Sequence, residues 1–302
     1  MNLSVVVPTL NGRDRLAASL DSLAEHAPDA EVVVVNGPSA DGTTGMVRDR
    51  EDVAVLVELS DRTLNVARNA GIEAATGDAV AFVGYDLVVE PTWREAVEAG
   101  LAEADVATGP VQQTLRVGRT TQDPERRTIN DREVAYFNGE NVAFRRPVLD
   151  DADGFDEYLQ TGGARDAAHR LAALGYEVSW GTEMAVRREY EADGDVADHD
   201  WGWKYRALTY RLVKNYGLRP TVARRIVSHA VSDGFDALRG VVGGEVPLTT
   251  AIGSGRDVAT GVLEGGGAGM RARARDRSPR RNPNGLSARR DRAVARYDWR
   301  EE

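Results

Sequence analysis

Two runs of β-branched residues, each cut off by turn formers, constrain this chain more than any other feature. The first is Leu3-Ser-Val-Val-Val-Pro-Thr-Leu-Asn-Gly12 and the second is Glu31-Val-Val-Val-Val-Asn-Gly-Pro-Ser-Ala-Asp-Gly-Thr43. A short, continuous apolar run ended by Pro, Asn and Gly reads as a strand buried on both faces, the kind found in parallel sheets. Between the runs, Leu16, Leu20 and Leu23 recur at helical spacing and mark one buried face. Strand, helix and strand in about 35 residues make a right-handed βαβ unit. Open sheets of this kind bind ligands beyond the carboxyl ends of their strands. Those ends are Pro8 to Asn11 and Asn36 to Asp41, and the first site expectation falls on them.

The alternation continues. A short helix over 43–50 and a strand over 53–59 come next. A helix then runs from Leu64 to Ala75, capped by Asp61 or Thr63 and stopped at Gly77. Strands at 79–83 and 104–108 flank a helix that opens at Pro91 and Thr92, and five strands alternating with helices predict a mostly parallel sheet. Residues 110–135 are polar, Arg-rich and without period, which suits a binding loop or a small excursion of the sheet. A strand at 140–144, a helix with Leu171 and Leu174 closed by Gly175, and a strand at 176–180 complete the pattern.

From His199 the chain changes character. Trp201, Trp203, Tyr205, Leu208, Leu212 and Tyr216 alternate with Lys204, Arg206, Arg211 and Lys214. Such a helix lies in a membrane interface or packs on the protein, and both readings stay open. Segments 226–242 and 248–263 are amphipathic as well. The expected organisation is an α/β domain over 1–190, a helical, membrane-associating appendage over 191–265, and a basic tail without a core over 266–302.

Charge sharpens this division. The 302 residues carry −10, with 38 basic and 48 acidic side chains. Only two bases are lysine, Lys204 and Lys214. An acid-rich, lysine-poor chain suits a cytoplasm of very high salt, and a GC-rich genome is the alternative. Residues 271–302 hold 11 Arg and 5 acids, or +6, which leaves −16 for the rest. The absence of cysteine excludes disulfides and thiolate metal sites. No apolar run is long enough to span a membrane, and Met1-Asn-Leu-Ser4 opens on a strand rather than a signal peptide. No Gly-x-Gly-x-x-Gly follows the first strand, which disfavours a dinucleotide oxidoreductase. Asn11-Gly-Arg-Asp-Arg15 likewise lacks the Gly-rich loop of a sugar nucleotidyltransferase.

Taken in order, the motifs resemble the inverting GT-A glycosyltransferases of family 2, which include the dolichyl-phosphate sugar synthases, and among them those of haloarchaeal N-glycosylation. Ser4 to Asn11 resembles the family's opening strand and turn, and Val35 to Thr43 its second strand end, with Asn36 where Asp is usual. Asn65-Val-Ala-Arg-Asn-Ala-Gly71 is similar to the helix behind the diphosphate, and Phe82-Val-Gly-Tyr-Asp86 falls at the Asp-x-Asp signature. Gly139-Glu-Asn-Val-Ala-Phe-Arg-Arg146, Gly154-Phe-Asp-Glu157 and Arg165-Asp166 follow in the family order.

The resemblance implies a GT-A fold and a set of roles. Pro8, Thr9, Asn11, Asn36 and Asp41 would hold the nucleotide, with Arg68 neutralising its diphosphate. Asn36 accepts a uracil N–H less selectively than Asp would, because its amide also donates. Asp86 would contact Mg²⁺ or Mn²⁺, with Gly84 in place of the first signature Asp and His199 as a remote helper. Asp166 would act as base toward the acceptor, with Arg165 in place of the preceding Glu. An adjacent cation weakens that base, and it also suits an acidic substrate such as a uronic acid or a phosphate. The implied partners are a nucleotide-sugar, UDP before GDP, and a lipid-linked glycan acceptor at the cytoplasmic face of the membrane, with no nucleic acid. A catalytically silent subunit that binds nucleotide-sugar is the alternative, given the changes at Asn36, Gly84 and Arg165.

Overall fold

The structure, a computed structural model, describes residues 1–113, 125–188, 201–242 and 248–300. It contains two compact units: Met1–Arg127 with Glu133–Ala192 and Asn284–Glu302, and Thr128–Arg132 with Asp193–Pro283.

The first unit opens with β1 (Leu3–Thr9), α1 (Arg13–His26), β2 (Glu31–Asn36), α2 (Thr43–Arg48), β3 (Val55–Leu59), α3 (Leu64–Ala74) and β4 (Ala79–Val83). It continues through β5 (Leu87–Val89), α4 (Trp93–Glu103), β6 (Val106–Thr108) and β7 (Val111–Gln113). After 114–124 come β8 (Arg126–Ile129), β9 (Arg132–Ala135), β10 (Asn141–Arg145), α5 (Arg146–Ala152), α6 (Gly163–Leu174), β11 (Val178–Trp180) and β12 (Val186–Arg188). The second unit supplies α7 (Trp201–Tyr216), α8 (Pro220–Val242) and α9 (Leu248–Arg275), and β13 (Ala293–Asp298) returns to the first.

The main sheet has the order β11-β6-β10-β4-β1-β2-β3-β13. Its centre, β4-β1-β2-β3, is parallel, as the β-branched runs require, while β10 and β13 run antiparallel to their neighbours. The runs are continuous because both faces are covered. Val6, Val33 and Phe82 enter one core with Phe144 and Phe155, and Val5, Val7 and Val34 enter the other with Leu16, Leu20, Leu23 and Trp93. Full burial of such a side chain contributes about 1.5–3 kcal/mol. Helix α3 lies close on β1 at Gly71, where a Cβ would fall 2.2 Å from Val6 Cγ1. A second sheet, β5-β12-β7, stands beside the first. Its strands have three residues each, too few to leave a period in the sequence.

Three expectations change. Residues 110–135 are an excursion that includes β7 and the β8–β9 pair, with 114–124 outside the described residues. The tail from 266 is not structureless. Helix α9 runs on to Arg275, and β13 pairs with β3 from Val55 to Leu59. Its basic residues find acidic partners that charge counting alone does not place, as Arg292 does with Glu157 at 2.5 Å. Tyr205, Leu208, Leu212 and Tyr216 of α7 are buried inside the second unit with Ile129, Val222 and Ile226, so protein covers that part of the stripe, while Trp201 and Trp203 are half-buried. Helix α9 continues through its glycines because Gly261, Gly265 and Gly269 let its backbone approach that of α7; a Cβ at Gly265 would meet Arg206 O at 2.3 Å. Among the described residues, no helix is long and apolar enough to cross a membrane.

Candidate functional site

Two adjoining cavities open at the carboxyl ends of the central strands. The smaller, about 160 Å³, is lined by Pro8, Thr9 and Leu10 after β1, Gly37 after β2, Asp61 to Leu64 after β3, and Gly84 and Tyr85 after β4. The larger, about 470 Å³, is lined by Asn65, Glu125, Tyr136, Asn138, Trp180 and the segment 160–165. Leu64, Arg68, Gly139 and Glu140 line both.

Arg68 is the feature that these walls share. Its side chain is buried, donating from Nη2 to Gly139 O at 2.7 Å and from Nη1 to Asn65 Oδ1 at 3.3 Å. Its Nε has no hydrogen-bond partner, and among the described residues no carboxylate lies within ion-pair distance. Burial lowers its pKa to about 10, with Glu140 countering in part, so the group stays a cation at neutral pH. A cation held this way is costly unless something anionic meets it. The surrounding chain is shaped to hold it. Asn65 Nδ2 donates to Asp156 O and Leu159 O, Asn69 exchanges hydrogen bonds with Phe155, and a Cβ at Gly139 would fall 2.6 Å from Arg68 Nη2.

The other expected nucleotide residues divide. Pro8 and Thr9 line the smaller cavity, but Asn11, Asn36 and Asp41 do not. Asn11, with φ +52°, receives Ala40 N–H on its side chain and donates its own N–H to Ser39 Oγ, tying the two strand-end loops together. Asn36 is buried, accepting from Ser39 Oγ at 2.7 Å and donating to Thr44 Oγ1 at 3.0 Å, so each end of its amide has a protein partner. Asp41 accepts from Thr43 N, Thr43 Oγ1 and Arg13 N. Burial acts to raise its pKa, but these hydrogen bonds outweigh it and hold the carboxyl below the usual range. It braces the starts of α1 and α2.

Asp166 is also displaced from its expected role. Helical geometry turns Gly163, Ala164 and Arg165 toward the larger cavity and Asp166 into the core, where it is fully buried. Its carboxylate accepts from Arg170 Nε at 2.9 Å, and Arg170 donates onward to Ala152 O and Gly154 O. Arg165 instead reaches Glu125 at 2.7 Å and stacks over Tyr136 with 4.7 Å to the ring centroid. Arg165 holds the Glu125 carboxyl below its ordinary value, so it stays ionised and paired.

The expectation of Mg²⁺ or Mn²⁺ at Asp86 meets an obstacle. Arg188 Nε lies 2.9 Å from Asp86 Oδ2, and Arg188 Nη2 lies 2.9 Å from Glu140 Oε2. Divalent ions of this kind are held through one or two carboxylates, with water and substrate phosphates completing about six oxygen ligands, but Gly84 offers no carboxylate and the one at Asp86 is paired with Arg188. Among the described residues, no three His, Asp or Glu side chains converge as metal ligands, and His199 lies outside them. Among the described residues, the carboxylates as they are paired do not fit a divalent ion.

Sequence reasoning missed Asp61, Glu140 and Arg188. The strand-end rule applied to β3 reaches Asp61, and Glu140 sits inside a quoted motif. Arg188 has no sequence signal, because only the β5–β12 register, Leu87 opposite Arg188, brings it to Asp86.

Comparison with known proteins agrees with this fold. The model of "Glycosyl transferase family 2" matches residues 4–155. Glycosyltransferase AglE of Haloferax volcanii is 26% identical over 199 residues, covering 60% of this chain and 65% of AglE, so the chain spans just under two thirds of that relative. Among solved structures, S. aureus TarS 1–349 in complex with UDP-GlcNAc superposes with a TM-score of 0.57 at 20% identity, covering 75% of this chain and 70% of that one. The mannosyltransferase PcManGT from Pyrobaculum calidifontis, in complex with GDP-Man and Mn²⁺, gives 0.54 at 18% identity over 87% of this chain and 86% of that one. The shared architecture is the GT-A fold.

Proposed function

The chain belongs to glycosyl transferase family 2, and on that premise we propose that it moves a sugar, with inversion, from a nucleoside diphosphate donor to a lipid-linked phosphate acceptor. The observation that carries the reading is Arg68, a buried cation without a paired carboxylate among the described residues, at the junction of two cavities on the strand ends. A diphosphate laid across that junction would satisfy it. TarS and PcManGT, whose complexes hold UDP-GlcNAc and GDP-Man, support the donor class. UDP before GDP is the nucleotide order that the family resemblance implies.

The acceptor follows from the charges of the larger cavity. A hydroxyl nucleophile needs a carboxylate free to take its proton. Glu125 and Glu140 line this cavity, but each is paired with an arginine, and Asp166 is buried. A phosphate monoester is already ionised at neutral pH and needs no base. Arg165 lines the same wall, and a phosphate there would compete with Glu125 for its guanidinium. The phosphate oxygen attacks the anomeric carbon, the bond from that carbon to the diphosphate breaks, and its electron pair leaves with the nucleoside diphosphate. The product is a lipid-linked sugar phosphate of the dolichyl type. The acidic, lysine-poor composition supports a role for this product in surface-layer N-glycosylation of a halophile, at the cytoplasmic membrane face. The expected Mg²⁺ or Mn²⁺ is not carried into this reading, because Arg188 neutralises Asp86.

A transfer assay at high salt tests the proposal, with radiolabelled UDP- and GDP-sugars offered a polyprenyl phosphate or a neutral hydroxyl glycolipid. The expected result is label entering lipid only with the phosphate acceptor, falling roughly tenfold or more in Arg165→Ala. Transfer only to the hydroxyl acceptor rejects the phosphate. Nucleotide binding without transfer to either favours the silent-subunit reading, which the neutralised Asp86 and the buried Asp166 support.

A further inference from the structure

The disagreement between the signature carboxylate and a divalent ion has a positive side. We propose that Arg188 is itself the cation at this site, and that it stabilises the departing diphosphate where the fold would otherwise use a metal. The inference rests on the nucleotide-sugar reading of the cavities.

Four observations converge on it. Asp86 sits just past β4, the strand end where the donor's diphosphate would pass, and Gly84 beside it lines the smaller cavity. Arg188 is fixed there by two carboxylates, 2.9 Å from Asp86 Oδ2 and 2.9 Å from Glu140 Oε2. Glu140 lines both cavities, so the guanidinium stands one hydrogen bond from their junction. Arg68 faces that junction as well. A diphosphate at the junction would meet Arg68 directly and would draw the Nη2 donor of Arg188 in exchange for Glu140 Oε2.

The position of Arg188 is built into the fold. Strand β12 is held between β5 and β7, and the β5 register sets Arg188 opposite Leu87, the neighbour of Asp86. Asp86 thus has a positioning role, orienting a guanidinium where it would otherwise ligate an ion. When the bond from the anomeric carbon to the diphosphate breaks, the electron pair and the added negative charge stay on the diphosphate oxygen. A guanidinium held beside that oxygen would stabilise the charge as it develops.

Calorimetric binding of UDP and GDP to the full chain, in EDTA and in Mn²⁺, tests this. Wild type is expected to bind UDP with dissociation constants that agree within about twofold in the two media. Arg188→Ala is expected to bind UDP roughly tenfold more weakly in EDTA and to recover in Mn²⁺, because Asp86 is then open to the ion. Uridine, which has no phosphate, should bind wild type and variant alike, and Arg188→Lys should fall between them. A wild type that needs Mn²⁺ to bind UDP overturns the proposal and leaves the donor reading standing. So does an Arg188→Ala variant that binds UDP in EDTA as well as wild type. A wild type that binds neither UDP nor GDP in either medium removes both. Should Arg188→Ala lose uridine as well, the wild-type comparison between EDTA and Mn²⁺ still decides.

Discussion

Asp166 and Arg170 form an ion pair of 2.9 Å, one helical turn apart, with neither side chain exposed to solvent. Arg170 spends its remaining donors on Ala152 O and Gly154 O, so the pair ties α6 to the end of α5. Removing one partner of a buried pair leaves the other charge uncompensated and costs about 3–5 kcal/mol. Asp166→Asn is therefore expected to lower the melting temperature sharply while UDP affinity below that temperature stays near wild type. Full stability with loss of transfer alone would restore Asp166 to the role of base.

Arg68 should behave in the opposite sense. It is buried as a cation with no carboxylate paired to it among the described residues, and its lowered pKa records that desolvation. Replacement by Met removes a charge that the empty site does not compensate. Arg68→Met should melt at or above the wild-type temperature, yet bind UDP roughly tenfold more weakly or worse. Gain of stability with loss of binding is the signature of a residue placed for its ligand. A variant that loses stability and keeps UDP affinity would make Arg68 a structural arginine.

How much of this was legible in the sequence depends on the range of the contacts. The βαβ core declared itself because burial on both faces of β1 and β2 writes continuous valine runs, and Leu16, Leu20 and Leu23 mark the helix between them. Pro8, Thr9 and Arg68 line the smaller cavity, where the strand-end rule and the α3 motif, both local, point. Asn36 and Asp41 lie at the right loops but serve them through short-range hydrogen bonds, which sequence position does not distinguish from ligand contacts. Asp166 was misplaced by facing: one step along α6 separates the cavity-lining Arg165 from the core. Arg188 and β13 stayed hidden, since each depends on a pairing between segments 102 residues apart, as for Arg188 and Asp86, or more.

Glu31 gives the first unit an acid limit. Its carboxylate accepts from Ser4 Oγ, Thr76 N and Oγ1, and Arg300 Nη1, joining β1, β2, the end of α3 and the segment after β13. Burial acts to raise its pKa, but these hydrogen bonds outweigh it and hold it below the ordinary value. The unfolded chain then takes up the proton first as pH falls. The stabilisation is fully present above the unfolded value, about 4.3, and is lost as pH drops through the lower folded value. Melting temperature measured from neutral pH downward should fall more steeply below this point in wild type than in Glu31→Gln. Parallel curves would remove Glu31 from the acid transition.

Deleting residues 284–302 tests whether the C-terminal segment is part of the fold. The cut removes β13, and so opens the β3 edge of the main sheet to pairing with other chains. It also removes Arg292, a fully buried side chain that pairs with Glu157 and Glu73. Glu157 Oε1 accepts from Asn69 Nδ2 at 2.8 Å as well, and Asn69 is the neighbour of Arg68 on α3. The deletion should therefore lower the melting temperature, promote aggregation and weaken UDP binding together. Arg292→Met keeps β13, so it should weaken UDP binding less than the deletion and leave the protein monodisperse in light scattering. A truncated chain with wild-type melting and UDP affinity would show that the first unit is complete without its last strand.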